Sequence, residues 1–425
     1  MNETVIGFAG LTHLGIISSV AAAAKGYHVI GFHDDAELIS RLNSATFPVK
    51  EPQLTDLFTD NRERMTFTAD SKALSMCHVV YVSVDIPTNE KGESELDPIE
   101  KIIGQVSEVL NPNACLVILS QVPPGFTRQI TVDHKRLFYQ VETLIFGSAV
   151  ERAMYPERFI LGCDNPPEPL PMHLNNFLNT FNCPILQMRY ESAELSKTSI
   201  NICLVASISA ANMLAEICEK IDADWSEIIP ALRLDRRIGQ YSYIAPGLGI
   251  SGGNLERDLH SVLRLSVDHD TDGGVISSWL KNSQHRKNWP LKIIKETILT
   301  QNPDATIAVL GLAYKENTHS TKNSPALLLI EKLSNCKIKA YDPVIDACVA
   351  GNHVSGATSA LEAAESADAV AIMTPWPEFK DILPVDLAAT MKGRTIIDPY
   401  GMLDAKKVRS AGLDYFTLGK SPEIA

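Results

Sequence analysis

The chain has 425 residues, of which 45% are hydrophobic, and this predicts a globular protein with a sizeable core and two or three domains. Its formal net charge of −13 argues against a nucleic-acid partner, although a few local basic residues could hold a small phosphorylated ligand. Eight scattered cysteines form no C-x-x-C pair or His/Cys cluster, so free thiols and no metal are expected. With neither a secretory leader nor an unbroken membrane-spanning run, we expect a cytoplasmic protein without a membrane partner.

The first third of the chain alternates short apolar runs with segments of helical spacing. The apolar runs are TVIGFAGL, YHVIGF, CHVVYVSV and ACLVILS, and the helical segments between them include IISSVAAAAKG and PIEKIIGQVSEVL. Alternation of strands and helices predicts a parallel, doubly wound sheet.

The middle of the chain has a different pattern. From Glu191 to about Asp224 there is no glycine or proline, which predicts one long helix, and helix-rich sequence continues to about residue 290. A second alternating unit then contains TIAVLGLAYK, KIKAYDPV, ADAVAIMTP and GRTIIDPY. The predicted fold is therefore α/β, with two doubly wound Rossmann-like domains joined by a long central helix. The expected divisions are 1–190, 191–290 and 291–425.

A glycine motif follows the first predicted strand. GLTHLG, from Gly10 to Gly15, keeps the outer glycines of the dinucleotide fingerprint G-x-G-x-x-G but has Thr12 in the middle. The helix that it opens still offers backbone N–H groups to a pyrophosphate. The acid that binds the ribose should end the second strand, where His33 is followed by Asp34. A tight strand–helix turn without a cofactor is the alternative, and the histidines form no recognisable constellation.

Several further motifs occur in one order along the chain: IPTNEKG, SQVPPGFT, VETLIFGSAVERAMYPERFILG, AELSKTSIN, DRRIG, GISGGNLERD, GLAYKENT and NSPAL. Together they resemble the UDP-glucose/GDP-mannose dehydrogenase family over nearly the whole chain. The resemblance implies NAD on the N-terminal domain, a nucleotide sugar on the C-terminal domain and a homodimer formed through the central helix. Members of this family oxidise a primary alcohol of the sugar twice, and a cysteine captures the intermediate aldehyde.

The resemblance also implies a role for individual residues. Lys197 and Asn201, four apart on one helix face, would bind an oxyanion and order a water. Asp258 would relay the alcohol proton, Glu142 would lie near the reacting carbon, and Asn254 occupies the position of the cysteine. The expected substrate-binding residues are Glu142, Leu144, Lys197, Asn201, Arg237 (which would reach the site of a neighbouring subunit), Gly249 and Lys315. The expected cofactor-binding residues are Gly10, Leu11, Thr12, His13, Leu14, Gly15, His33, Asp34, Val84, Pro87, Thr88, Ser120, Gln121, Arg257 and Lys322.

Plain structural interpretations compete with these roles. Lys197 could be a surface lysine on an apolar helix, Glu142 could be a surface charge, and Asp258 could cap the helix that follows it. Arg237 and its neighbour Arg236 could be a solvated pair.

The departures from the family pattern fall where the chemistry would occur. Asn254 replaces the cysteine, Gln121 replaces a threonine, Phe146 replaces a second glutamate and Tyr400 replaces an arginine. A carboxamide is not a nucleophile, so the sequence predicts one two-electron oxidation of a nucleotide sugar, with a UDP-sugar expected. A full four-electron oxidation through an aldehyde hydrate and a non-catalytic nucleotide-sugar-binding protein are the alternatives.

Overall fold

The apolar runs of the sequence form the strands of two sheets in a computed structural model that describes residues 4–87 and 94–425. All the strands and helices named from the sequence are found, which confirms the predicted fold class. The strands are β1 Val5–Ala9, β2 His28–Phe32, β3 Met65–Thr68, β4 Val79–Val82, β5 Cys115–Ile118, β6 Leu137–Gln140, β7 Phe159–Cys163, β8 Ile185–Arg189, β9 Thr306–Leu310, β10 Lys337–Tyr341, β11 Val354–Gly356, β12 Ala369–Ile372, β13 Thr395–Ile397 and β14 Asp414–Phe416.

Helices lie between many of these strands, as the periodicity predicts, and a run of helices without strands lies between β8 and β9. They are α1 His13–Ala24, α2 Ala36–Asn43, α3 Leu54–Asp60, α4 Asp97–Val109, α5 Ala149–Met154, α6 Met172–Asn179, α7 Tyr190–Ile221, α8 Trp225–Leu234, α9 Asn254–Asp268, α10 Gly274–Lys287, α11 Trp289–Ile294, α12 Pro325–Lys332, α13 Ala360–Ala364, α14 Pro384–Thr390 and α15 Ala405–Ser410.

The chain divides into two compact units, Met1–Ile200 and Asn201–Ala425. The sheet of the first has the order β3-β2-β1-β4-β5-β6-β7-β8, and the sheet of the second has the order β11-β10-β9-β12-β13-β14. Both begin with the 3-2-1-4-5-6 arrangement of doubly wound dinucleotide folds, whose ligand crevice lies where the strand order reverses. In the first unit this is the crevice between β1 and β4. The pairing is parallel except between β6 and β7, a reversal that the sequence did not indicate.

The long central helix is α7, a helix of 32 residues that confirms the prediction of a helix from Glu191 to about Asp224. Its most apolar window has a mean hydropathy of 1.6, and one third of that window is buried. By length and composition alone this helix is long and apolar enough to cross a membrane. The core helices of soluble proteins also meet these two criteria. Much of its apolar surface is therefore not covered by the chain itself.

Gly15 lets α1 pack closely against the strands. A Cβ atom at Gly15 would lie 2.0 Å from the carbonyl oxygen of Gly10 and 2.7 Å from Oγ of Ser83. Ser83 Oγ donates to that same oxygen at 3.0 Å, so neither neighbour can move away without breaking this bond. The last glycine of the motif is thus required for close helix–strand packing.

We therefore predict that Gly15→Ala destabilises the protein by about 1–3 kcal/mol, because an added methyl group overpacks this contact. The matched control is Gly104→Ala in the exposed part of α4, where a Cβ meets nothing within 4 Å. That change should leave stability unchanged or raise it by about 0.5–1 kcal/mol, the advantage of alanine over glycine in a helix. Urea unfolding of both variants checks this, and equal effects would contradict it.

Candidate active site

The glycine loop lies at the crevice of the first sheet, with Thr12 as the residue before α1. The Thr12 hydroxyl accepts from the N–H of Asp85 at 2.9 Å and donates to the carbonyl of Ser83 at 3.3 Å. It therefore ties the loop to the end of β4 and does not cap the first turn of α1. An anion such as a pyrophosphate could then bind the N–H groups of that turn.

The acid at the end of β2 is Asp34, and a basic residue reaches it from a distant helix. Lys101, on α4, donates to Oδ2 of Asp34 at 2.5 Å, and this bond holds the pKa of Asp34 below its usual value. His33 accepts from the N–H of Asp35 through Nδ1 at 3.1 Å, and Asp35 caps α2. The ribose end of the expected cofactor site thus contains a carboxylate, an imidazole and an ammonium group.

The loop after β5 is fixed by a buried carboxylate on α7. Glu194 accepts from the N–H of Gly125 at 2.6 Å and of Thr127 at 2.8 Å, and burial raises its pKa. At the start of this loop Ser120 donates to the carbonyl of Val84 at 2.6 Å. Of three further expected cofactor residues, Gln121 is half-buried and Pro87 is exposed, whereas Thr88 lies outside the described residues.

Glu142 and Lys197 form an ion pair in the first unit. Nζ of Lys197 lies 3.1 Å from Oε2 of Glu142, and the two side chains are only 14% and 17% exposed. Glu142 also accepts from the N–H of Leu144, whose side chain packs on the core. A simple surface lysine or surface glutamate does not fit this burial. The pair can stabilise a developing oxyanion and accept a proton, the two tasks of alcohol oxidation.

A second buried carboxylate in this unit, Glu51, was not identified by the sequence analysis. Glu51 has a side chain only 1% exposed and lies 2.9 Å from Nε2 of His13, whose ring stacks on Phe146 with centroids 4.2 Å apart. Glu51 also accepts from the N–H groups of Gly147 and Ala149. The sequence did not reveal this pair, because Glu51 is 38 residues away from His13 in the chain.

In the second unit Asp258 is the centre of a buried polar group. It accepts from Nδ2 of Asn201 at 2.5 Å and from Nε of Arg257 at 3.2 Å, and all three residues are buried. Asp258 lies inside α9, which starts at Asn254, so the interpretation that it caps a helix is wrong. Because its amide group donates to Asp258, Asn201 keeps its carbonyl oxygen to accept from a hydroxyl or a water.

The loop GISGGNLERD is held against neighbouring segments of its own unit. At Gly252 a Cβ would lie 2.8 Å from the ring of Tyr314. The N–H of Gly252 donates to the carbonyl of Lys322 at 3.1 Å, and Asn323 donates to the carbonyl of Gly252 at 2.8 Å. Asn254 follows as the first, exposed residue of α9. Among the residues that the structure describes, its carboxamide makes no hydrogen bond.

The remaining expected substrate residues lie on the second unit. Arg237 is 89% exposed and bonds Asp235 through Nε at 3.0 Å and Nη2 at 2.6 Å. Nζ of Lys315 lies 5.9 Å from the ring centroid of Tyr314. A Cβ at Gly249 would lie 2.5 Å from the carbonyl oxygen of Ser283, so this position needs its glycine.

The crevice of the second sheet differs from that of the first. Asp342, at the end of β10, corresponds in topology to the ribose-binding acid. It is buried and accepts from the N–H groups of Leu312, Ala313, Val344 and Ile345 and from the Trp376 indole. Its oxygens are thus used inside the fold. Burial also raises the pKa of Tyr400, which keeps this replacement for an arginine neutral. Among residues 4–87 and 94–425, no cluster of His, Cys, Asp and Glu could hold a metal.

Comparison with known proteins gives one consistent match along the chain. Models of the UDP-glucose/GDP-mannose dehydrogenase family match in three parts: the NAD binding domain at residues 4–176, the central domain at 191–284 and the UDP binding domain at 308–405. The UDP-glucose 6-dehydrogenase TuaD of Bacillus subtilis is 29% identical over 433 residues, with 98% of this chain and 93% of the relative covered. The UDP-glucose 6-dehydrogenase of Rickettsia typhi is 28% identical, with 97% and 99% covered.

Solved structures show the same fold. A UDP-D-ManNAc dehydrogenase from Pyrococcus horikoshii has a TM-score of 0.84 and 24% identity, with 98% of this chain and 99% of that chain covered. A UDP-glucose dehydrogenase from Pyrobaculum islandicum has a TM-score of 0.83 and 22% identity, with 97% and 96% covered.

The Glu142–Lys197 pair generates a direct prediction. Lys197→Ala should lower kcat for NAD reduction by roughly a hundredfold or more, because it removes the preorganised ammonium group beside Glu142. The control is Lys220→Ala, an exposed lysine on the same helix, which should have the wild-type rate. The assay follows NADH absorbance with the most active sugar from a panel of UDP-, GDP- and CDP-sugars. A wild-type kcat for Lys197→Ala would exclude the lysine from the chemistry.

Proposed function

We propose, from the premise that this chain belongs to the UDP-glucose/GDP-mannose dehydrogenase family, that it oxidises a nucleotide sugar by a single hydride transfer. The family assignment confirms the resemblance drawn from the motifs. NAD is the cofactor, and the enzyme is an oxidoreductase acting on a CH–OH group of a nucleotide sugar. A UDP-sugar is the proposed substrate, since the curated relatives are UDP-glucose dehydrogenases. We assign NAD binding to residues 1–190, dimerisation to 191–290 and nucleotide-sugar binding to 291–425.

The residues around the first crevice fit NAD. The close packing at Gly15 brings the N-terminal end of α1 to the crevice. The Thr12 side chain does not cap this end, so the N–H groups of the first turn of α1 stay uncapped. Asp34 supplies a carboxylate at the end of β2 for a ribose hydroxyl, with Lys101 as its partner. When bound, NAD accepts the hydride from the carbon that is oxidised.

The other tasks of the reaction are assigned to side chains of the protein. Glu142 is the proposed proton acceptor for the sugar hydroxyl, and Lys197 stabilises the negative charge that develops on its oxygen. Asn201, oriented by its bond to Asp258, accepts a hydrogen bond from the substrate or a water through its free carbonyl oxygen. Asp258 also accepts from Arg257, so the buried carboxylate is paired and hydrogen-bonded.

The side chain of Asn254 carries the proposal of a single oxidation. Asn254 is the first residue of α9 and occupies the position of the family cysteine, and its carboxamide is exposed. A thiolate would add to the aldehyde and hold it for the second hydride transfer, whereas a carboxamide can only donate and accept hydrogen bonds. Asn254 would hold an oxygen of the sugar, and the carbonyl product would leave.

Two alternatives remain distinguishable. A full four-electron oxidation would need water to add to the aldehyde in place of the cysteine. A non-catalytic nucleotide-sugar-binding protein would need no NAD, and the replacement of the middle glycine by Thr12 is the observation that favours it. Calorimetric titration with NAD separates this last alternative from both enzymes.

We also propose that α7 pairs with its copy in a symmetric homodimer. The uncovered apolar residues on this helix include Met213, Leu214, Ile217 and Ile221, each at least 40% exposed. A two-fold interface would remove them from water, and Arg237 would then reach the partner's site. A cytoplasmic location without a membrane partner is part of this proposal, because the second copy supplies the cover that a bilayer would otherwise give.

The number of hydrides transferred can be counted. We expect about one NADH per sugar consumed, against about two for a complete oxidation, because the covalent intermediate is missing. A hydroxylamine reagent should trap an aldehyde or ketone, and mass spectrometry should find no uronic acid. Asn254→Cys alone should restore little of the second oxidation, since Gln121 and Phe146 also differ from the family pattern. A uronic acid formed with two NADH would show that water replaces the cysteine.

The dimer is tested by light scattering at micromolar concentration. The wild-type protein should be a dimer, and Ile217→Glu should shift it toward the monomer, because the change buries a charge in an apolar interface. Val267→Glu is the control, since Val267 is an equally apolar exposed residue on α9 and should leave the dimer intact. A wild-type monomer would refute the proposal. A protein that pellets with liposomes would favour a membrane instead.

A further inference from the structure

Glu51 is a buried carboxylate that joins two parts of the first unit. It lies before α3 in the chain, and its side chain is only 1% exposed. It lies 2.9 Å from Nε2 of His13, and it accepts from the N–H of Gly147 at 3.0 Å and of Ala149 at 3.2 Å. Burying a carboxylate is costly unless it is paired and hydrogen-bonded. This one is satisfied entirely by groups that belong to two other segments.

One of those segments carries the proposed proton acceptor. Residues 142–149 connect β6 to α5 without regular structure until Ala149. Glu142 holds the first end, through the N–H of Leu144 and the ammonium group of Lys197. Glu51 holds the other end at Gly147 and Ala149. A stretch of irregular backbone is therefore fixed by one carboxylate at each end.

The other segment is the start of α1, at the cofactor loop. His13 is the first residue of that helix and follows Thr12. Its ring lies against the ring of Phe146 at a centroid distance of 4.2 Å and an interplanar angle of 27°. Stacking fixes the plane of the imidazole, and the bond to Glu51 fixes its rotation in that plane. His13 thus contacts residues 142–149 both directly and through Glu51.

We propose that Glu51 is a positioning residue, which sets the place of Glu142 relative to the cofactor loop through His13 and the backbone of residues 147–149. The inference rests on the proposed role of Glu142 in proton transfer. Hydride transfer requires the reacting groups to be aligned closely, and a displacement of about 1 Å can cost roughly a hundredfold in rate. Nothing in the crevice itself needs to change for that loss to occur.

Glutamine is the informative replacement for Glu51. It has nearly the same shape, but only one of its two terminal atoms accepts hydrogen bonds. Its NH2 group would face either the N–H groups of residues 147 and 149 or the imidazole. Glu51→Gln should therefore loosen residues 142–149 without altering the side chains of Glu142 and Lys197 themselves. At His13, glutamine can still donate to Glu51, whereas leucine cannot.

The experiment compares Glu51→Gln, His13→Gln and His13→Leu with the control Glu37→Gln, an exposed glutamate on α2. The substrate is the nucleotide sugar that gives the highest wild-type rate in the UDP-, GDP- and CDP-sugar panel. Glu51→Gln and His13→Leu should lower kcat by roughly tenfold to a hundredfold with little change in KM for the sugar. His13→Gln should keep more of kcat than His13→Leu, and Glu37→Gln should keep all of it.

A second measurement needs no substrate. Amide hydrogen exchange of peptides from residues 142–149 should speed up in Glu51→Gln and His13→Leu and stay near the wild-type rate in His13→Gln. A wild-type kcat for Glu51→Gln, or equal losses in both His13 variants, would overturn the proposal. If Glu51→Gln does not fold, the two His13 variants decide by the same criteria. The NADH count per sugar, made on the wild type, tests the single oxidation independently of this result.

Discussion

The close approach of α1 to the ends of β1 and β4 is the constraint on which the first unit depends. The packing is so close that any side chain at Gly15 would overlap the carbonyl oxygen of Gly10, so glycine is needed there for the helix to begin at the crevice. The first turn of that helix is where backbone N–H groups can meet a pyrophosphate. Thr12 and His13 lie at this turn, and the side chain of each bonds a different neighbouring segment.

Buried carboxylates hold the irregular segments that surround the candidate site. Glu51 and Glu194 each accept from backbone N–H groups of a loop that follows a strand, and Asp342 does the same for the second sheet. Loops at the carboxyl ends of strands have backbone groups that the sheet does not satisfy. A carboxylate can accept several of them at once through strong, charge-assisted bonds. The fold thereby gives loops of little regular structure defined positions next to the expected ligands.

The proposed chemistry depends on a contrast between retained and lost groups. Lys197, Glu142, Asn201 and Asp258 are buried or nearly buried and are joined in pairs, as groups that stabilise charge should be. Asn254 is exposed at the start of α9 and lacks the chemistry of a nucleophile. This contrast between retained charge-stabilising groups and a replaced nucleophile is what supports the proposal of one hydride transfer rather than two.

The sequence by itself determined the fold class, the family and the cofactor, because these depend on features that are local in the chain. Apolar runs such as TVIGFAG and TIAVLGLAYK specify strands, and the glycine spacing after β1 specifies the turn to a helix. The tertiary structure decided which side chains meet. Lys101 reaches Asp34 from 67 residues away and Glu51 meets His13 across 38, and no periodicity records such contacts. The antiparallel β6–β7 pair was likewise invisible, because an apolar run has the same composition in either direction. Contacts between distant residues exist only once the sheet has brought the strand ends to one edge, and the arrangement of the site depends on those contacts.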